Sequence, residues 1–192
     1  MKEPSSPTDG SQSHAVVVTE NAQDIVKVDL DRWGHLAEAV LRAEGESGEL
    51  TLTFVDAADI IDLKLEHFGD AGEHPTDVLS FPLDVDVSEG DDVPRLIGDV
   101  VICPEVANLQ ATTHAGTFDD EIALLVVHGI LHILGFDHES DADRHEMQLR
   151  ERELGPHVKE GGEPLERTAL AERPLRHLRV ERPPANQEAT AP

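Results

Sequence analysis

The sequence predicts an α+β fold: a single domain in which a small mixed sheet packs on helices and a central buried helix carries a group of histidines. Three observations predict it. A length of 192 residues is that of one domain. Short segments that alternate apolar and polar residues, as half-buried strands do, are interleaved with segments of helical periodicity. The run IALLVVHGILHILG at 122–135 is apolar almost all the way round yet too short to span a bilayer, which places it at the centre of a fold.

The elements follow in chain order. AVVV at 15–18 is a short strand. Trp33, Leu36, Ala37, Val40 and Leu41 repeat at the spacing of one helical face, with Gly45 and Gly48 just past its end. LTLTFV at 50–55 alternates as a half-buried strand. Asp56 then caps a short helix through Ile61, Leu65 and Phe68. DVLSFPL at 77–83 and LIGDVVIC at 96–103 read as two strands paired in a hairpin across the acidic loop DVDVSEGDDVP. A helix follows Pro104 to about His114. The long helix runs from about Phe118 to Leu134, entered through Thr117 with Asp120 three residues on, the spacing of a capping box.

The ends differ in composition. Residues 1–14 are rich in Ser, Pro, Gly and Asp, and residues 156–192 carry repeated Pro and Glu with little apolar periodicity, so both are expected to be disordered around a folded body at 15–155. In the second tail Arg173, Arg176, Arg179 and Arg182 recur every three residues, which a polyproline II path would align on one side, although such a run is ordinarily a solvated one.

Composition narrows the function. Forty acidic against fifteen basic residues give a net charge of −25, which repels phosphate chains and anionic lipid at long range and argues against a general nucleic-acid coat protein. The tail holds as many Glu as basic residues, so the whole negative charge lies outside it. Cys103 is the single cysteine, which excludes an internal disulfide and any cysteine-based zinc cluster. A metal site would have to draw on the eleven histidines and the carboxylates. No apolar run is long enough for a membrane span and MKEPSSPTDGSQSH has no signal-peptide pattern, so a cytoplasmic protein is expected.

The histidines carry the chemistry. His128 and His132 lie four residues apart, on one face of the long helix, and Gly135 can end that helix in a turn that returns His138 to the same point. Three imidazoles with an open fourth position are a common way of holding catalytic zinc. The spacing His-x-x-x-His-x-x-Gly-x-x-His is also that of metzincin proteases, whose motif has Glu directly after the first histidine as general base. Here that position is Gly129, so a metzincin-like protease is the second reading. A structural zinc is the third, since such sites close with a fourth protein ligand.

HGILHILGFDH at 128–138 resembles the signature of the YbeY endoribonuclease family, and PTDVLSFP at 75–82 and GDVVICPEVA at 98–107 resemble two further segments of that family in the same order. The resemblance covers about 50–153 and implies a single-strand-specific, metal-dependent endoribonuclease. Its implied work is 16S rRNA 3′-end maturation and ribosome quality control, with RNA phosphodiesters hydrolysed by a zinc-activated water. It implies one zinc ion per chain on His128, His132 and His138. The implied partners are single-stranded rRNA precursor and the small ribosomal subunit or its assembly factors, with no membrane or DNA role. Asp77, beside Thr76 at the start of a strand, and Asp137, beside the third histidine, are the candidate catalytic carboxylates; turn and backbone-capping roles are the plainer readings of both. Asp99 is divided in the same way. Family members often carry an Arg shortly before the Pro-Thr-Asp block, where this chain reads KLEHFGDAGEHPTD, leaving Lys64, His67 or His74 to supply that positive charge. Its absence keeps open a non-catalytic, metal-binding role in ribosome assembly.

Overall fold

A computed structural model describes residues 15–69, 74–83, 95–111, 116–138 and 140–155. The two tails expected to be disordered, the whole acidic loop and the end of the helix expected to reach His114 lie outside the described residues.

The chain runs β1 (Ala15–Asn21), α1 (Leu30–Ala43), β2 (Gly48–Phe54), α2 (Ala57–Phe68), β3 (Val78–Pro82), β4 (Leu96–Ile102), α3 (Pro104–Ala111), α4 (Phe118–Ile133) and α5 (Asp141–Leu154). The sheet is mixed, as expected, in the order β1-β2-β4-β3. β1 and β4 flank β2 in parallel, and β3 closes the other edge antiparallel to β4, with Val78 opposite Ile102 and Pro82 opposite Gly98. The expected hairpin is therefore present. β1 is longer than its apolar run because Thr19, Glu20 and Asn21 continue the ladder opposite Leu52, Thr53 and Phe54, and backbone pairing needs no apolar side chains.

Strand alternation divides the core. Leu50, Leu52 and Phe54 of β2 and Val100 and Ile102 of β4 face α1 and α4 in the main core. On the opposite face Val55, Leu79, Val101 and Cys103 pack with Ile60 of α2. Local chemistry starts each helix: Asp56 accepts from the Ala58 and Asp59 amides at 2.9 Å, and Thr117 and Asp120 form the reciprocal capping box.

Helix α4 is the centre of the molecule, with eleven of its sixteen residues buried. Ile122, Leu125, Ile130 and Leu131 are wholly inaccessible, and burying each such side chain contributes about 1.5–3 kcal/mol. The helix presses on the sheet at Gly129. A Cβ there would stand 2.7 Å from Val100 Cγ1 and 3.2 Å from Ser80 Oγ, and the Ser80 hydroxyl donates to the Gly129 carbonyl at 3.0 Å. The position after the first histidine thus faces the strands, with no room for the glutamate that the protease reading requires.

Replacing Gly129 by Ala adds helix propensity of about 1 kcal/mol but forces a methyl group against a buried β-branched side chain, an overpacking cost of about 1–3 kcal/mol. Gly129→Ala is expected to lower the unfolding free energy by a net ~1 kcal/mol, read as a lower urea midpoint at unchanged m-value; a more stable variant would contradict the close contact with Val100.

Candidate metal centre

α4 brings His128 and His132 to one face, and the end of the helix adds His138. The helix stops in a Schellman arrangement around Gly135, whose φ of +91° disfavours any side chain. The Gly135 amide donates to the His132 carbonyl at 3.1 Å and the Phe136 amide to the Leu131 carbonyl at 3.0 Å. Nothing lies within 4 Å of a Cβ at Gly135, so the requirement for glycine is conformational. The turn also aims the Phe136 carbonyl back at the helix, where it accepts from His132 Nδ1 at 3.1 Å.

The three rings cluster. Centroids are 4.5 Å apart for His128 and His132, 5.1 Å for His132 and His138, and 6.2 Å for His128 and His138. One nitrogen from each lies within 4.8 Å of the others. Among the described residues this is the one group of three or more His, Cys, Asp or Glu within such reach, and it includes neither Asp77 nor Asp137. Cys103 belongs to the core on the opposite face of the sheet, where burial pushes its thiol pKa up, and it closes no fourth position. That leaves the structural-zinc reading without a thiol.

The donor set fits a cation. His128 is nearly buried, and its Nδ1 lies 2.6 Å from Glu151 Oε1 on α5. With protons on Nδ1 of both His128 and His132, given to Glu151 and to Phe136, the two Nε2 lone pairs face each other at 3.1 Å. Two lone pairs at that distance repel unless a cation or proton lies among them. Tetrahedral zinc with bonds of about 2.0–2.1 Å sets nitrogen spacings of roughly 3.3 Å, close to what the pair adopts. Burial, with the neighbouring His128 and His138 rings adding to it, lowers His132 to about 4, so it is a neutral donor at physiological pH.

The remaining expected residues take other positions. Asp77 is buried at the start of β3, where its Oδ1 accepts from the Val78 amide at 2.9 Å and from the Thr76 hydroxyl at 3.2 Å. Asp137 lies beside the cluster, with Oδ1 2.6 Å from the His138 amide and 3.7 Å from His138 Nδ1, so it caps backbone next to the third ring. Asp99 pairs opposite Phe81 on the face turned away from α4. Lys64 donates to the His74 carbonyl at 2.9 Å, and His67 packs tilted against Phe81 with centroids 4.7 Å apart. α5 and its Glu151 were not anticipated. The helix buries only Met147, so it shows no apolar periodicity, and its one local signal is Ser140 with Asp143 three residues on, a cap the structure contains.

Residues 18–159 match the family model described as Endoribonuclease YbeY. The chain is 45% identical over 109 residues to the Endoribonuclease YbeY of Leifsonia xyli subsp. xyli (strain CTCB07), an overlap of 55% of this chain and 70% of the relative. It is 41% identical over 121 residues to that of Desulfitobacterium hafniense (strain Y51), with 60% and 76% covered. It is also 41% identical over 139 residues to that of Frankia casuarinae, with 68% of each chain covered.

Two outcomes follow from the geometry. His132 falls from the usual 6.5 to about 4 on folding, so between those values the unfolded chain binds more protons and stability rises with pH. Metal-free wild type is therefore expected to lose stability relative to His132→Asn as pH falls from about 7 to about 5, by up to roughly 1 kcal/mol per pH unit in urea titrations. Gly135→Ala is expected to cost about 1–2 kcal/mol, because alanine must adopt the positive φ, and to reduce zinc retention in equilibrium dialysis.

Proposed function

The chain belongs to the YbeY endoribonuclease family, and from that membership we propose that it is a zinc-dependent endoribonuclease that hydrolyses single-stranded RNA at the three-histidine centre. The convergence of one nitrogen each from His128, His132 and His138 within 4.8 Å carries the reading. His128 and His132 hold the ion through Nε2, and His138 supplies the third nitrogen. Three neutral imidazoles subtract no charge, so the ion, when bound, supplies a full double positive charge that polarises a phosphoryl oxygen and acidifies water.

The protein's own groups prepare the place. The Phe136 carbonyl keeps the His132 ring in the ligating tautomer, and the apolar body of α4 walls water away from its far side. Asp137, next to His138, is the proposed carboxylate for orienting that ring or accepting a proton, and Asp77, the other proposed carboxylate, holds the start of β3. Arg144 of α5 reaches the His138 carbonyl at 3.5 Å and sets a positive charge at the rim, suited to an RNA phosphate in a chain that lacks the family's usual Arg before Pro75.

The substrate of this proposal is ribosomal RNA precursor, with 16S rRNA 3′-end maturation and ribosome quality control as the setting and the small subunit or its assembly factors as partners. The place of work is then the cytoplasm. Among the described residues no helix is long and apolar enough to cross a membrane. A net charge of −25 suits an enzyme that finds RNA through a local cation rather than through a broad basic surface.

The test is cleavage of end-labelled single-stranded and duplex RNA by purified protein, with and without chelator, beside His132→Ala. Cutting of the single strand that chelator stops and the variant lacks is the expected result. A zinc-loaded protein that binds but never cuts RNA would overturn the enzymatic reading in favour of a metal-binding assembly factor.

A further inference from the structure

Helix α5 is polar along most of its length, and two features fix how it lies. Met147 inserts into the main core with 2% of its surface exposed, and Arg150 donates to Glu44 at the end of α1 at 2.6 Å. Glu151 stands four residues after Met147, on the same helical face, so the packing that buries the methionine carries a carboxylate inward with it. Its side chain is 10% exposed and that of His128 11%. A carboxylate so placed is costly to desolvate unless it accepts strong hydrogen bonds, and the 2.6 Å contact with His128 Nδ1 is one.

We infer that Glu151 is a positioning residue of the metal centre: by accepting from Nδ1 it holds the proton on that nitrogen, leaves the His128 Nε2 lone pair for the ion and fixes the plane of the ring. The competing arrangement is visible in the same geometry. His128 Nε2 lies 3.1 Å from His132 Nε2, so a His128 protonated on Nε2 would donate to His132 and tie up both lone pairs in one hydrogen bond. The carboxylate on the far nitrogen opposes that tautomer and keeps the pair open to a cation. This inference rests on the three-histidine metal reading, and it adds a carboxylate supplied by a helix that contributes no ligand.

Zinc competition against a chromophoric chelator separates the two ideas, using wild type, His132→Ala, Glu151→Gln and Glu151→Ala. Glu151→Gln is close in shape and is expected to bind zinc about 10- to 100-fold more weakly, with Glu151→Ala weaker still. Nitrogen-15 spectra of the metal-free proteins are expected to show His128 protonated on Nδ1 in wild type and mixed between its nitrogens in Glu151→Ala. If Glu151 merely joined α5 to α4, both variants would lose stability while keeping wild-type zinc affinity and tautomer, and that result would overturn the inference. Equal zinc retention by wild type and His132→Ala would instead overturn the metal reading beneath it.

Discussion

An imidazole buried in an apolar helix must have a partner for its polar nitrogen, and much of this structure follows from satisfying that demand twice, one turn apart. His128 and His132 sit in α4 among mostly apolar side chains. One Nδ1 is met by the Phe136 carbonyl, which requires the chain to reverse directly after the helix and hence a residue at ease at positive φ. The other is met by Glu151, which requires a further helix to return along α4. The turn and the returning helix are thus parts of one solution, and both leave the Nε2 atoms pointing into the same space.

That solution depends on how closely α4 approaches the sheet. Gly129 is the residue between the two partnered histidines and the strands, and its missing side chain lets the helix backbone come near enough for Ser80 to bond its carbonyl. A larger residue would lift α4 from Val100 and move the rings with it. The same glycine separates this fold from proteases that share the histidine spacing, since their general base would have to occupy space filled here by β3 and β4. Sterics and chemistry agree at that position.

Charge works at two scales. The strongly acidic chain disfavours indiscriminate attraction to RNA, whereas imidazole donors carry no negative charge and add nothing to the repulsion. A cation held by neutral rings in a partly buried recess is screened less than surface charges are, so its field acts over the short distances at which a phosphodiester would be bound. Affinity concentrated at one point suits an endoribonuclease with this net charge better than a broad basic surface would.

What the sequence by itself determined is what depends on neighbours along the chain. The helical spacing of His128 and His132, the capping box at Thr117, the cap at Asp56, the turn at Gly135 and the β3–β4 hairpin are all local, and each was legible from residue type and period. Other features came only with the tertiary structure. The strand order, the contact of Gly129 with Val100, the turning of Asp99 away from α4 and the commitment of Asp77 to the start of β3 rest on packing between elements distant in sequence. Glu151 is the sharpest case, for it meets His128 across 23 residues from a helix whose charged sequence reads as a solvated surface. Periodicity reports which face of a segment is apolar; it carries no information about which polar group on a neighbouring segment will be drawn inward by the packing of a single methionine.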